Sequence, residues 1–456
     1  MLERRIHLDL ISISLTFIFV LYLVLQLKYI YSSLNTTKTK LLILPEKKIS
    51  VLIPAYNEEL VLKQCLDSWF RLDYTSKEAI FINDGSTDST LEVLHEMLDL
   101  EVTSRDSTVL LSTGDIKNIY LSKKYPDILV VDQYNGGKSA ALNTGISIAT
   151  GEIVITLDAD SILEKNSLNK INEAFVNPQV IAGGGMVHVG QLINKQGFIN
   201  YSKNWIIKYQ TSGYLSSFYV RKVTQAKLNV LNVVSGAFGA FRRDVLQHIG
   251  GYRDTLGEDM EITFRLQKYM HKRKAGEKMV FIPEAVCYTE VPENFSSLMH
   301  QRIRWQKGFI DCINLYKKDF FTSLGKKFSS FLLFESVTLS VIGMLAMVIL
   351  PLSIILGNIS GVTIMLMGIA WLSEFILRLV AVQRAGYYGY KFSVFHWLRI
   401  ILFTIWESIT YRFLDTFFFT YGTILYFFGS RTNWNKLTRS GAVHFEEIEP
   451  AKVIVH

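Results

Sequence analysis

The chain has 456 residues, 49% of them hydrophobic and 13% aromatic, with a formal net charge of +7, which is too apolar for an ordinary soluble enzyme. The charge is modest and no Lys/Arg-rich run is interleaved with aromatics, which argues against nucleic acid as a partner and fits a protein beside an anionic leaflet. Cys65, Cys287 and Cys312 lack metal-ligand spacing and read as free thiols of a reducing compartment.

The apolar residues concentrate at 8–30 and 331–429. Ile11 to Leu27, with its flanks, is long enough to cross roughly 30 Å of hydrocarbon, which predicts a transmembrane helix within residues 1–31. No small-residue cleavage site comes after it, so a signal peptide is disfavoured. Lys28, Lys38, Lys40, Lys47 and Lys48 outnumber Arg4 and Arg5, which predicts a cytoplasmic location for the domain C-terminal to this helix.

From 49 to about 300, short β-rich runs alternate with helical periodicity, the pattern of a mostly parallel, covered sheet, within an α/β domain expected over 49–310. Strands are expected at Ile49–Pro54, Ala79–Asn83, Ile128–Asp132 and Glu152–Asp158. Helices are expected at Glu58–Phe70, from Thr87, at Lys138–Ala149 and from Glu258. Residues 191–232, with Trp205, Tyr209, Tyr214, Phe218 and Tyr219, read as a helical pair along the membrane surface, and His188 reads as structural.

Two further spans are expected near 331–356 and 360–383, joined by a hairpin at Gly357, Asn358 and Ser360. The stretch 393–429 carries Arg399, Glu407, Arg412 and Asp415, which are too costly to leave facing lipid. One reading is an interfacial helix near 392–411 followed by a span near 413–429. Residues 430–456 are expected as a tail too short for an independent fold. Arg431, Lys436 and Arg439 favour its lying on the cytoplasmic side, though the count of spans leaves that side open.

In α/β sheets ligands gather at the carboxyl ends of the strands, and the unusual residues fall there. Asp84 lies in Asn83-Asp84-Gly85-Ser86-Thr87-Asp88, where a turn with an N-cap is the ordinary alternative. Asn135-Gly136-Gly137-Lys138 lets backbone approach a diphosphate and sets a lysine at a helix opening, without Walker spacing. In Asp158-Ala159-Asp160, two carboxylates at a strand end can share a hard cation, Mg2+ or Mn2+, and leave positions open for phosphate. Glu258-Asp259 opens a helix, where acids also serve as dipole partners. Gln301, Arg304 and Trp305 precede the membrane, where Trp and Arg are often interface anchors.

In this order, and with flanking membrane helices, these residues resemble the processive family 2 glycosyltransferases: cellulose, hyaluronan, chitin-oligosaccharide and poly-N-acetylglucosamine synthases. The likeness covers 49 to about 310 and looks closest to the bacterial exopolysaccharide members. It implies a GT-A (Rossmann-like) α/β fold flanked by transmembrane α-helices. It implies that Pro54, Tyr56 and Glu58 belong to a uridine-binding loop and that Asp84 holds uracil or ribose. Lys138, Asp158 and Arg304 would approach the donor nucleotide sugar, and Asp158 and Asp160 would hold the metal, Asp160 more directly. Asp259 matches the catalytic base of a Thr-Glu-Asp motif, with Gly257 where Thr is usual. Gln301, Arg304 and Trp305 match Gln-x-x-Arg-Trp. Glu258, Gln301 and Trp305 are implied to face the acceptor, and Ser235-Gly236-Ala237, running into Phe241 and Arg242, lies where relatives contact it.

The resemblance implies metal-assisted, inverting transfer from a UDP-sugar, UDP-N-acetylglucosamine or UDP-glucose, to a growing β-linked polysaccharide. The implied partners are that donor, a polysaccharide or lipid acceptor, membrane lipids and envelope export subunits, at a cell membrane with the catalytic domain cytoplasmic. Donor selectivity is expected from 183–188 and 235–241, and Glu407, Arg412 and Asp415 are expected to line a path for the polymer. A non-processive transferase acting on a lipid acceptor would share Asp84, Asp158, Asp160 and Asp259; Gln301, Arg304, Trp305 and the C-terminal helices argue for polymerisation. A catalytically silent scaffold is disfavoured by the intact acids.

Overall fold

The structure is a computed structural model that describes residues 2–38, 44–107, 111–192, 204–355, 361–389 and 394–429. It begins with helix α1 (Leu2–Leu34), followed by β1 (Ile49–Ala55), α2 (Leu62–Phe70), β2 (Lys77–Asp84), α3 (Thr90–Leu98), β3 (Leu100–Thr103), β4 (Ile116–Ser122) and β5 (Ile128–Gln133). Next come α4 (Gly137–Ile148), β6 (Ile153–Leu157), β7 (Ser161–Leu163), α5 (Ser167–Phe175) and β8 (Val180–Val189). The chain continues through α6 (Trp205–Ser216), α7 (Val223–Lys227), β9 (Phe238–Arg242), α8 (Arg243–His248), α9 (Glu258–Arg273) and β10 (Lys278–Thr289). It closes with α10 (Phe295–Tyr316), α11 (Lys326–Leu332), α12 (Leu339–Ile355), α13 (Gly361–Tyr387) and α14 (Val394–Phe428).

All ten strands form one sheet in the order β3-β4-β5-β2-β1-β6-β9-β8-β10-β7. Along β1 the side chains alternate between two cores. Val51 and Ile53 face one with Phe81, Ile155, Leu66 and Trp69; Leu52 faces the other with Ile80, Ile82, Val154, Leu142 and Ile146. Burial on both faces is why these strands read as continuous apolar runs, and each such side chain contributes about 1.5–3 kcal/mol. Helix α4 lies close because residue 145 is glycine: a methyl group there would sit 3.0 Å from both Leu52 δ-carbons.

The expected mostly parallel sheet holds for β5-β2-β1-β6. Beyond β6 the sheet is mixed: β9 runs antiparallel to both β6 and β8, and β7 antiparallel to β10. The segment after β8 re-enters the sheet from the end at which β8 left it, so β9 runs back along its neighbours. Both arrangements bury both faces, so the apolar pattern does not distinguish them.

Helix α6, a π-helical turn at Ser217–Lys222 and α7 form one continuous rod rather than the expected surface pair. The rod is wedged between the sheet and helices α1 and α13: Tyr219 is buried, bonds His188 Nε2 at 3.1 Å and stacks on Tyr388 with centroids 5.4 Å apart. His188 is accordingly a satisfied core residue.

Three helical stretches among the described residues are long and apolar enough to cross a membrane: Thr16–Leu34, Lys326–Leu345 and Ile364–Tyr387. Helix α14 is continuous over 35 residues, replacing the expected interfacial helix plus separate span. It holds no proline and its single glycine is Gly422, so nothing interrupts the helical repeat at 412. The hairpin residues Gly357, Asn358 and Ser360, the side chain of Arg412, and residues 430–456 lie outside the described residues.

Candidate active site

The loops after β1, β2 and β5 are tied to one another at the carboxyl end of the parallel strands. Asn57 adopts a left-handed conformation, φ 56°, and its Oδ1 accepts from the Thr87 and Asp88 backbone N–H groups at 2.6 and 3.3 Å. The Glu58 N–H donates to Thr90 Oγ1 at 2.8 Å. This staple comes just after Pro54 and leaves Tyr56 40% exposed over the cleft.

Asp84, the last residue of β2, is buried, and its carboxylate is engaged from three directions. Oδ1 accepts from Gln133 Nε2 at 2.7 Å and Gly136 N at 2.9 Å, and Oδ2 accepts from Gly137 N at 2.9 Å. Asp84 therefore shapes the Gly136-Gly137-Lys138 turn. Gly85 permits this approach: its φ is +68°, and a methyl group there would meet Asn135 N at 2.6 Å. Gln133, and the stapling role of Asn57 within the Pro54–Glu58 segment, escape sequence reading because their partners are distant in the chain.

The turn aims Lys138, in the first turn of α4, across the sheet. Its Nζ bonds Asp158 Oδ1 at 2.7 Å and Glu258 Oε1 at 3.2 Å. Burial favours the neutral amine, but Asp158 and Glu258 outweigh it and hold Lys138 above its ordinary value. Asp160 is buried, with Thr289 and Ser161 hydroxyls at 3.3 Å from Oδ1. Asp259 opens α9; its Oδ1 accepts from Met260 N at 2.8 Å, and its Oδ2 accepts from Gly236 N at 3.4 Å. Burial, then the neighbouring Glu258, push the Asp259 carboxyl up to about 6, with Lys138 opposing. Glu258, assigned to the acceptor from sequence, is ion-paired to Lys138.

Among the described residues no group of three or more His, Cys, Asp and Glu side chains is gathered to hold a metal. The donor set of Asp158 and Asp160 nevertheless fits Mg2+ or Mn2+, which commonly take one or two carboxylates and complete their shell with substrate phosphate and water.

Helix α10, N-capped by Asn294, carries the membrane-proximal motif. A methyl group on Gly257 would meet Gly308 backbone at 3.3 Å, and one on Gly308 would meet Leu256 O at 2.9 Å. The glycine at 257 is thus the contact that sets α9 against α10. Trp305 is 42% exposed, with the Arg302 guanidinium 4.5 Å from its ring centroid. Gln301 is buried and its Oε1 has no hydrogen-bond partner among the described residues; Arg304 is half-buried.

Arg302, Trp305 and Met260 open onto a cavity of about 590 Å³ that continues between α1, α12, α13 and α14. Its walls mix apolar side chains with bonded polar ones: Glu374 accepts from Tyr22 and Gln26 at 3.0 and 2.8 Å, and Glu335 accepts from Gln225 at 3.0 Å. Asp415 lines it, as expected. Glu407 does not; it is fully buried against Arg378 and Ser212. Phe241 is core, and Arg242 donates to the Val180, Phe175 and Asn177 carbonyls, so neither reaches the cleft. Residues 183–188 are buried within β8.

The sequence profile named Glycosyl transferase family group 2 matches residues 153–428, more than half of the chain, and the one named Glycosyl transferase family 2 matches residues 50–250. The chain belongs to the family 2 glycosyltransferases. It is 30% identical over 294 residues to a poly-beta-1,6-N-acetyl-D-glucosamine synthase of Staphylococcus epidermidis, covering 63% of this chain and 61% of that protein. It is 29% identical over 293 residues to the synthase of the same name from Staphylococcus aureus strain COL, with the same coverage. The chain therefore spans about three fifths of the length of these curated relatives. A mannosyltransferase from Pyrobaculum calidifontis in complex with GDP-Man and Mn2+ shares the fold, with TM-score 0.52, 16% identity, and coverage of 89% of this chain and 95% of that one. The GT-A fold expected from the motif order is thus the fold of this family 2 member.

Proposed function

We propose that this glycosyltransferase is a metal-dependent, inverting hexosyltransferase. It would extend a β-linked exopolysaccharide from a UDP-sugar, UDP-N-acetylglucosamine or UDP-glucose, and pass the chain between its membrane helices. The observation that carries this reading is that Met260, the residue after Asp259, lines the cavity between the helices together with Trp305. The names of the staphylococcal relatives support a polysaccharide product.

In this reading the loop of Pro54, Tyr56 and Glu58, with Asp84 behind it, receives the nucleoside. Lys138 and Arg304 neutralise the leaving diphosphate, whose developing charge is stabilised most in a water-poor site. A divalent cation held by Asp158 and Asp160 would supply Lewis-acid stabilisation of the diphosphate. Asp259 takes the proton of the acceptor hydroxyl; a carboxyl near 6 is largely ionised at neutral pH and basic enough to serve. Attack opposite the leaving group inverts the anomeric carbon and yields a β-linkage. Trp305 offers a flat face to the terminal sugar, and Gln301, one turn before it, is assigned with it to the acceptor.

The test supplies membranes holding the full-length protein with single UDP-sugars, with and without Mg2+ or Mn2+. Products are then sized and digested with linkage-specific hydrolases. A metal-dependent polymer from one UDP-sugar is expected; a single sugar on a lipid would overturn polymerisation, and transfer insensitive to chelation would overturn the metal.

A further inference from the structure

Lys222 ends the π-helical turn Ser217–Lys222. Such turns insert one residue into a helix, re-aim the side chains beyond it and recur at functional sites. Lys222 is only 8% exposed, with its Nζ 5.1 Å from the Phe218 ring centroid. That Nζ donates to the Val233 carbonyl at 2.7 Å, and no ion pair to it is present among the described residues. An ammonium has three donors, and a buried cation without a carboxylate is costly. Burial pulls Lys222 down to about 8, with the Asp259 charge acting the other way.

The carbonyl that Lys222 holds begins a strap that ends on the proposed base. Val234 N donates to Thr263 Oγ1 at 2.9 Å, Thr263 Oγ1 donates to the Asp259 carbonyl at 2.6 Å, and Gly236 N donates to Asp259 Oδ2. Lys222, Asn232 and Val233 line the same cavity as Met260 and Trp305. A structural strut would need the one hydrogen bond to Val233; it would not need a full charge lining a cavity.

We propose that Lys222 is an acceptor-binding residue: one N–H steadies the Val233–Gly236 strap, and the other two are offered to hydroxyls of the terminal sugars of the incoming chain. This rests on the reading that the acceptor reaches Asp259 through the cavity. It assigns a polar edge of that site to the rod, in the cavity that Trp305 also lines.

Calorimetric titration of the full-length protein in detergent with a β-linked N-acetylglucosamine pentamer tests this without turnover. Lys222→Met keeps the stem and deletes the donors. Loss of charge-assisted hydrogen bonds predicts about tenfold weaker pentamer binding, with UDP binding unchanged, while Lys222→Arg restores affinity to within about threefold. Equal pentamer affinity in wild type and Lys222→Met overturns the assignment. So does a parallel loss of UDP binding, which marks a role confined to steadying the strap, and so does absence of pentamer binding in the wild type. Failed sugar transfer with the Lys222→Met binding difference intact counts against the proposed reaction and leaves this assignment standing.

Discussion

Replacing Asp259 with asparagine keeps the shape of the side chain and deletes its capacity to take a proton. The amide oxygen can still accept from Met260 N; the bond to Gly236 N, already long at 3.4 Å, is the one lost, at about 1 kcal/mol. Fold stability is not at risk. A carboxyl raised from 3.8 to about 6 contributes stability that is present below its unfolded value and lost as pH rises through about 6. At pH 7 the asparagine variant is therefore no less stable than the wild type. Roughly 90% of Asp259 is ionised at pH 7, so nearly all of its contribution as a base is removed: about 10²–10⁴-fold in kcat, or about 3–5.5 kcal/mol of barrier. UDP release and radiolabelled product measure the loss, and calorimetry with UDP checks that donor binding survives. In the wild type, kcat/KM falls as pH drops through about 6, and this acid limb vanishes from the residual activity of Asp259→Asn. Product formation within a few-fold of wild type, or an unchanged acid limb, would refute the assignment.

Lys138→Met removes the ammonium between Asp158 and Glu258; the donor KM should rise about 10–100-fold. Because Lys138 lowers Asp259, the acid limb of the variant should move to higher pH, and an unmoved limb would count against the coupling. A methyl group on Gly343, which lines the cavity, would meet the Thr416 side chain at an ordinary 3.8 Å, so the backbone accepts a side chain there and Gly343→Phe should narrow the cavity. Chromatographic sizing should show short oligomers at a near-normal initial rate; full-length polymer would exclude this route. Arg378→Ala strands the buried Glu407 and should cost about 3–5 kcal/mol in thermal unfolding. The pair Arg378→Met with Glu407→Leu should recover most of it.

Much of the local structure was legible in the sequence. Apolar runs at Ile49, Ala79, Ile128 and Val154 end in Asp, Asn or Gly, and turn chemistry acts within a few residues, so strands and their functional ends are encoded locally. That Asp84, Lys138, Asp158 and Glu258 are linked in one cluster becomes evident once the strands are ordered. The ordering came from likeness to a family, because a strand buried on both faces carries no mark of its neighbour. Lys138 and Glu258 are 120 positions apart, and only the tertiary fold makes them an ion pair.

Other features have no signal along the chain. Gly257 reads as a departure from a motif until Gly308 is found against it. Glu407 looks like a pore residue until Arg378 covers it. Lys222 sits in an ordinary helical pattern, and its significance lies in the extra residue of a π-turn and in what faces it. Composition and periodicity determined the membrane helices, the α/β domain and the acids at its strand ends, because hydrophobic burial and turn chemistry act on neighbours in sequence. Which acid is paired, which is recessed beside the cavity and which is sealed away was decided only by tertiary packing, because charge and desolvation act through space.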